Sequence, residues 1–127
     1  MATKTLSASI DLKTAVPVVG IFDLDAVKSQ SLNFDDTVVT SGSATAVTAV
    51  GGTVLIAAGT AKVQNVYIRN TEAAGGNFVT LETDAAEDWG RLEANNWAFF
   101  PVAPSVGLQV RADTANVVLE YAIFQRP

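Results

Sequence analysis

Short apolar runs with a two-residue period, punctuated by Gly, Pro, Asp and Asn, recur along the whole chain, and no stretch carries a convincing amphipathic helical repeat. Side chains alternate across a strand with period two and recur near 3.6 in a helix, so this pattern restricts the chain to β-structure. Many short strands joined by tight turns close into a sandwich or barrel, because each sheet must bury one face against another layer. The expected fold is all-β: an antiparallel β-sandwich, jelly-roll-like, with at most one or two single-turn helices. At 127 residues the chain fits one domain. That length buries close to two thirds of the unfolded surface without a metal or disulfide staple.

In chain order, residues 5–12 place Leu6, Ala8, Ile10 and Leu12 on one face and Thr5, Ser7, Ser9 and Asp11 on the other. This strand opens an N-terminal arm, residues 1–20, expected to belong to the same unit as a single sandwich domain over 21–127. Within the arm, Ala15 to Val19 form an apolar patch around Pro17, which cannot donate to a central ladder, so a bend or edge segment is expected there. Ile21 to Val27 fits a single helical turn but is too short for its period to decide, and 27–34 alternate again up to the Asp35-Asp36 turn. Val38-Val39-Thr40, Ala46 to Val50 and Val54-Leu55-Ile56 read as strands separated by Ser41-Gly42-Ser43 and by Gly51-Gly52. The glycine pair suits a two-residue hairpin with positive φ. Residues 62–70 form the clearest strand, with Val66 and Ile68 inward and Tyr67 and Arg69 on the opposite face. Phe78 to Glu82 is expected to return antiparallel beside it, and Asp84 to Glu87 has capping-box spacing for one turn of helix.

The stretch from Trp89 to Val102 holds both tryptophans and two of the six phenylalanines around Ala94-Asn95-Asn96. It reads as an aromatic hairpin on which the rest packs, since each large aromatic buries roughly 150–250 Å². On that expectation Trp97→Ala leaves a core cavity and costs roughly 3–5 kcal/mol. Pro101 and Pro104 mark a crossing, and Asp113 to Asn116 a last turn. The final strand, with Val117, Leu119, Tyr121 and Ile123 on one face and Val118, Glu120, Ala122 and Phe124 on the other, is apolar enough to lie mid-sheet.

Composition removes several function classes. There is no histidine and no cysteine, which eliminates the commonest metal ligand, the commonest general base and every Ser/His or Cys/His nucleophile. A net charge of −5 with eight scattered Lys and Arg offers no patch for a phosphate backbone, so no nucleic-acid partner is expected. No apolar run approaches the about 18 residues of a membrane span, and Met1-Ala2-Thr3-Lys4 opens no secretory signal. Among the thirteen carboxylates, Asp23/Asp25, Asp35/Asp36 and Glu87/Asp88 come nearest to a calcium or acid/base pair, but aspartates in turns are ordinarily Asx hydrogen-bonders. Gly51-Gly52 and Gly75-Gly76 lack the lysine and helix context of a phosphate loop. No enzyme, cofactor or metal is expected. Tyr67, Trp89 and Trp97 together offer one binding motif, a sugar-stacking platform, although core packing is the commoner fate of an aromatic in a strand.

The succession VYIRNT, glycine loop, FVTLETD, WGRLEANNWAFFPV and VGLQVRADTANVVLEYAIF resembles a β-sandwich module of tailed-bacteriophage virions over residues 62–125. The resemblance implies a virion structural role: a capsid decoration or cement protein on the outer shell, assembled in the host cytoplasm. Its implied partners are the major capsid protein or another virion protein and further copies of itself, with a trimer favoured. The alternative is a carbohydrate- or receptor-binding module of a tail fibre or tailspike. Tail modules usually sit within long chains, whereas this sequence runs from Met1 to Pro127, which tilts the expectation towards decoration. Leu6, Ile10, Val16, Val18, Tyr67, Trp89 and Trp97 are the expected interface residues.

Overall fold

The computed structural model describes residues 3–13, 25–35, 39–59 and 61–127. Two strands, β1 (Thr3–Lys13) and β2 (Asp25–Asp35), pair antiparallel as a separate two-stranded sheet, with Leu6 opposite Leu32 and Lys13 opposite Asp25. Eight more follow: β3 (Thr40–Ala46), β4 (Thr53–Ile56), β5 (Gln64–Asn70), β6 (Val79–Glu82), β7 (Asp88–Leu92), β8 (Trp97–Val102), β9 (Leu108–Ala112) and β10 (Val117–Gln125). They form two four-stranded sheets in the orders β3-β10-β5-β8 and β4-β9-β6-β7. Every pairing of these strands is antiparallel. Among the described residues there is no helix.

The pairings β3–β10, β4–β9, β5–β8 and β6–β7 nest one inside the next and fall alternately in the two sheets. The chain therefore changes sheet at nearly every turn, and three expected hairpins are corrected. Gly51-Gly52 does turn the chain, with φ of 89° and 51° and a bond from Gly52 N–H to the Ala49 carbonyl, but it joins β3 and β4 across sheets. A Cβ at Gly52 would lie 2.2 Å from the Val110 carbonyl oxygen, so crossing this close to β9 demands glycine. β6 pairs with β7 and β9 rather than with β5. Trp89 to Val102 is an arch: its asparagine turn is real, with Asn95 at φ 64° and Asn96 N–H donating to Glu93, yet β7 and β8 belong to opposite sheets. Sequence period describes a strand's two faces and carries no information about its neighbours.

Local corrections follow the same logic. Ser41-Gly42-Ser43 is strand, paired with Ala122, Tyr121 and Glu120 of β10. No helical turn forms at Asp84 to Glu87: Thr83 Oγ1 accepts from Ala85 and Glu87 N–H at 3.3 Å, and Ala86 sits at φ 59°, outside helical space. Asp25 to Val27 of the second expected turn is strand, and 21–24 lie outside the described residues.

The core lies between the inner faces of the two sheets. Val66, Ile68, Val117, Leu119 and Ile123 meet Val79, Leu81, Leu108 and Val110, all buried. β10 lies mid-sheet between β3 and β5 as its composition requires. The tryptophans are not core: Trp89 is 51% and Trp97 55% exposed. Along β8 the inward set is Ala98, Phe100 and Val102, so alternation turns Trp97 outward. Trp89 is the extra residue where Leu81 faces Gly90 but Glu82 faces Asp88, a bulge that re-aims its side chain. β8 is an edge strand, which is why it tolerates Pro101.

Two buried polar groups tie this sandwich together. Asn70, fully buried, donates through Nδ2 to the carbonyls of Asn77 (2.9 Å) and Leu92 (3.2 Å) and accepts from Glu72 N–H (3.0 Å). Glu82, 1% exposed, accepts a bond of 2.5 Å from Arg111 Nε, while its Oε2 has no partner. Arg111 also reaches Asp88 at 3.3 Å. The hydrogen bond and charge of Glu82 hold the Arg111 guanidinium above the ordinary arginine range against the opposing effect of burial, and Asp88 adds a lesser contribution.

Candidate functional site

The outer face of the β3-β10-β5-β8 sheet gathers the aromatic and charged side chains that alternation turns away from the core. On β5, Tyr67 lies between Phe99 of β8 and Ala122 of β10, and Arg69 between Trp97 and Glu120. This register makes a two-row grid, one row apolar and the other mixed. Tyr67 and Trp97 are diagonal neighbours, with ring centroids 6.5 Å apart and planes inclined by 38°. Arg69 reaches Glu120 at 3.5 Å and Asn95 Oδ1 at 3.4 Å, in partly solvated contacts. Exposed ion pairs of this kind add little stability. The left-handed conformation of Asn95 in the β7–β8 arch brings an amide beside a residue 26 positions earlier.

The β1–β2 hairpin meets this face through its base. Leu32 is buried, Leu6 and Phe34 are half-buried, and Phe34 packs edge-on against Phe124 at 5.3 Å. Between hairpin and sheet runs an open groove of about 290 Å³, with Leu6, Ser7 and Ser9 on one side and Tyr67, Trp97, Phe99, Ala122 and Phe124 on the other.

Of the residues singled out from sequence, Leu6, Tyr67 and Trp97 come together in this groove. Ile10 lies in β1 opposite Lys28, and Val16 and Val18 lie outside the described residues. Trp89 does not join them. It stands edge-on to Phe100 at 5.1 Å, beside a separate groove shared with Thr83, Pro101 and Val106. The three-aromatic platform is thus a pair.

Phe99 in the groove, and Asn95 and the Arg69–Glu120 pair beside it, are features that sequence reasoning missed. The faces of Phe99, Arg69 and Glu120 were readable from alternation, but which faces are adjacent, and what the Asn95 turn reaches, depends on register. Among the described residues no group of three or more His, Cys, Asp or Glu could hold a metal ion. Of the carboxylate pairs, Asp88 is bonded to Arg111, Asp35 is buried, and Asp23 and Asp36 lie outside the described residues.

Fold and face define the class: an all-β antiparallel sandwich carrying a two-stranded arm, with an aromatic groove where the two meet. No family model, no curated protein and no solved structure matches this chain.

Proposed function

We propose that this protein is a structural component of a tailed-bacteriophage virion, a decoration or cement protein that binds the major capsid protein on the outer shell. In this reading it acts as an oligomer, with a trimer suited to local threefold positions, and catalyses nothing. The observation that carries the reading is the β1–β2 arm. Two eleven-residue strands at ~3.3 Å per residue reach ~36 Å, longer than the ~30 Å of the nine-residue β10. Seated by its base on the sheet, the hairpin is long enough to reach a neighbour. Among the described arm residues, Leu32 and Phe34 pack at the hairpin's base while Thr5, Ser7, Ser9, Ser31 and Asn33 are exposed, which leaves surface on the arm for a partner. The nested strand order supports a jelly-roll reading of the sandwich, an architecture that viral capsid domains share with lectins.

The test is removal of residues 1–35. Deleting 1–20 alone would strip β1 from β2, so the whole hairpin is the appropriate unit. The shortened protein is expected to keep a β-rich circular dichroism spectrum and to lose binding to purified particles. Unchanged affinity and copy number would refute attachment through the arm. The alternative, a carbohydrate- or receptor-binding module of a tail fibre or tailspike, is favoured by one observation, the exposed Trp97 beside the half-buried Tyr67. Copy number separates the two: hundreds per particle for a shell protein, far fewer for a tail protein.

A further inference from the structure

We propose that the groove between the arm and the β3-β10-β5-β8 sheet, together with the Arg69, Glu120 and Asn95 cluster that borders it at Trp97, is a carbohydrate-binding site in which Trp97 and Tyr67 pack against a pyranose ring and the cluster bonds its hydroxyls. The inference goes beyond shell attachment and holds whether the protein sits on a head or a tail.

Five features point to a sugar. Trp97 keeps 55% of its surface in water although it lies beside Tyr67 and Phe99. A half-exposed indole in a concave site presents a flat apolar surface to a ligand that has one apolar face of its own. The neighbouring row, which borders the groove at Trp97 and does not line it, supplies directional polar groups from one small area. Arg69 has five N–H donors, Asn95 an amide donor and acceptor, and Glu120 two acceptor oxygens, and their mutual contacts of 3.4–3.5 Å are long enough to exchange for a ligand's. Ser7 and Ser9 add hydroxyls from the opposite wall.

The signs of these charges select among ligands. Glu120 beside Arg69 opposes a phosphate or sulfate, and Arg69 opposes a cation. Neutral vicinal hydroxyls, which donate and accept together, fit both. An apolar peptide would strip water from the Arg69–Glu120 pair without replacing its hydrogen bonds, which disfavours it. A groove of about 290 Å³, just below the ~300–1,000 Å³ of small-molecule sites, has room for one or two rings and no extended chain.

The test is saturation-transfer-difference NMR on the full chain with glucose, galactose, mannose, N-acetylglucosamine, rhamnose, lactose and maltose at millimolar concentrations. At least one sugar is expected to receive transfer, strongest at the ring C–H protons of one face. Trp97→Ala is expected to abolish it, and Arg69→Ala and Asn95→Ala to weaken binding about tenfold, the equivalent of about 1.4 kcal/mol. Trp89→Phe, at the other groove, should leave it unchanged. Transfer to none of the seven sugars overturns the proposal, as does transfer that survives in Trp97→Ala. If Trp97→Ala fails to fold, undiminished binding in both Arg69→Ala and Asn95→Ala overturns it instead.

Discussion

Replacing Trp97, for all its size, should cost less than replacing a smaller but fully buried leucine. Trp97 is 55% exposed, so slightly under half of its surface is buried. Of the ~250 Å² upper range for such a ring, ~110 Å² is covered. At ~25 cal/mol per Å² this is worth ~2.8 kcal/mol. Compactness of the unfolded chain removes about 10–40% of it, leaving ~2 kcal/mol. No cavity term is added, because water fills the space. Leu119 is fully buried on β10, between β3 and β5 and facing the second sheet, so Leu119→Ala creates a void and costs about 3–5 kcal/mol. At roughly 3–4 °C per kcal/mol for a domain of this size, Trp97→Ala should lower Tm by about 7 °C and Leu119→Ala by about 10–18 °C. Thermal melts followed by circular dichroism, supported by urea titration, measure both. Equal or reversed losses would refute the assignment of Trp97 to the outer face, and with it the groove.

Arg111→Ala should lower the urea midpoint more than Arg69→Ala, since it leaves the 1%-exposed Glu82 without its partner, whereas Glu120 stays solvated. Adding Glu82→Gln to Arg111→Ala should recover part of the loss, and no recovery would mean that the buried charge is not its cause. Asn70→Ala should cost about 3 kcal/mol in the same titration, because it strips bonds from the Asn77 and Leu92 carbonyls together. Gly52→Ala should cost about 2–3 kcal/mol through its clash with the Val110 carbonyl at positive φ. Gly51→Ala, with open space around its Cβ position, should cost less.

Alternation was enough to read the faces of the strands. Val66 and Ile68 against Tyr67 and Arg69, and Leu119 and Ile123 against Glu120 and Phe124, divide into core and surface as period two requires. The all-β class, the turns at Gly51-Gly52, Asn95 and Asp113 to Asn116, and the central place of β10 rest on the same local physics: side-chain alternation, positive-φ residues and apolar content. Strand partnership was not legible. Trp89 to Val102 looks like a hairpin because a short asparagine turn between two aromatic runs favours one locally. The chain arches to the opposite sheet instead, because β8 pairs with β5 and β7 with β6, strands that begin 33 and 9 residues earlier. The fate of the tryptophans depended on that choice: a one-residue step in register moves a side chain from core to water. The groove is likewise a product of tertiary structure, since Ser7 and Leu6, Tyr67 and Trp97 come from strands far apart in the chain and meet only where the arm rests on the sheet. Residue type and period decide which face of a strand is apolar; long-range pairing decides what that face meets.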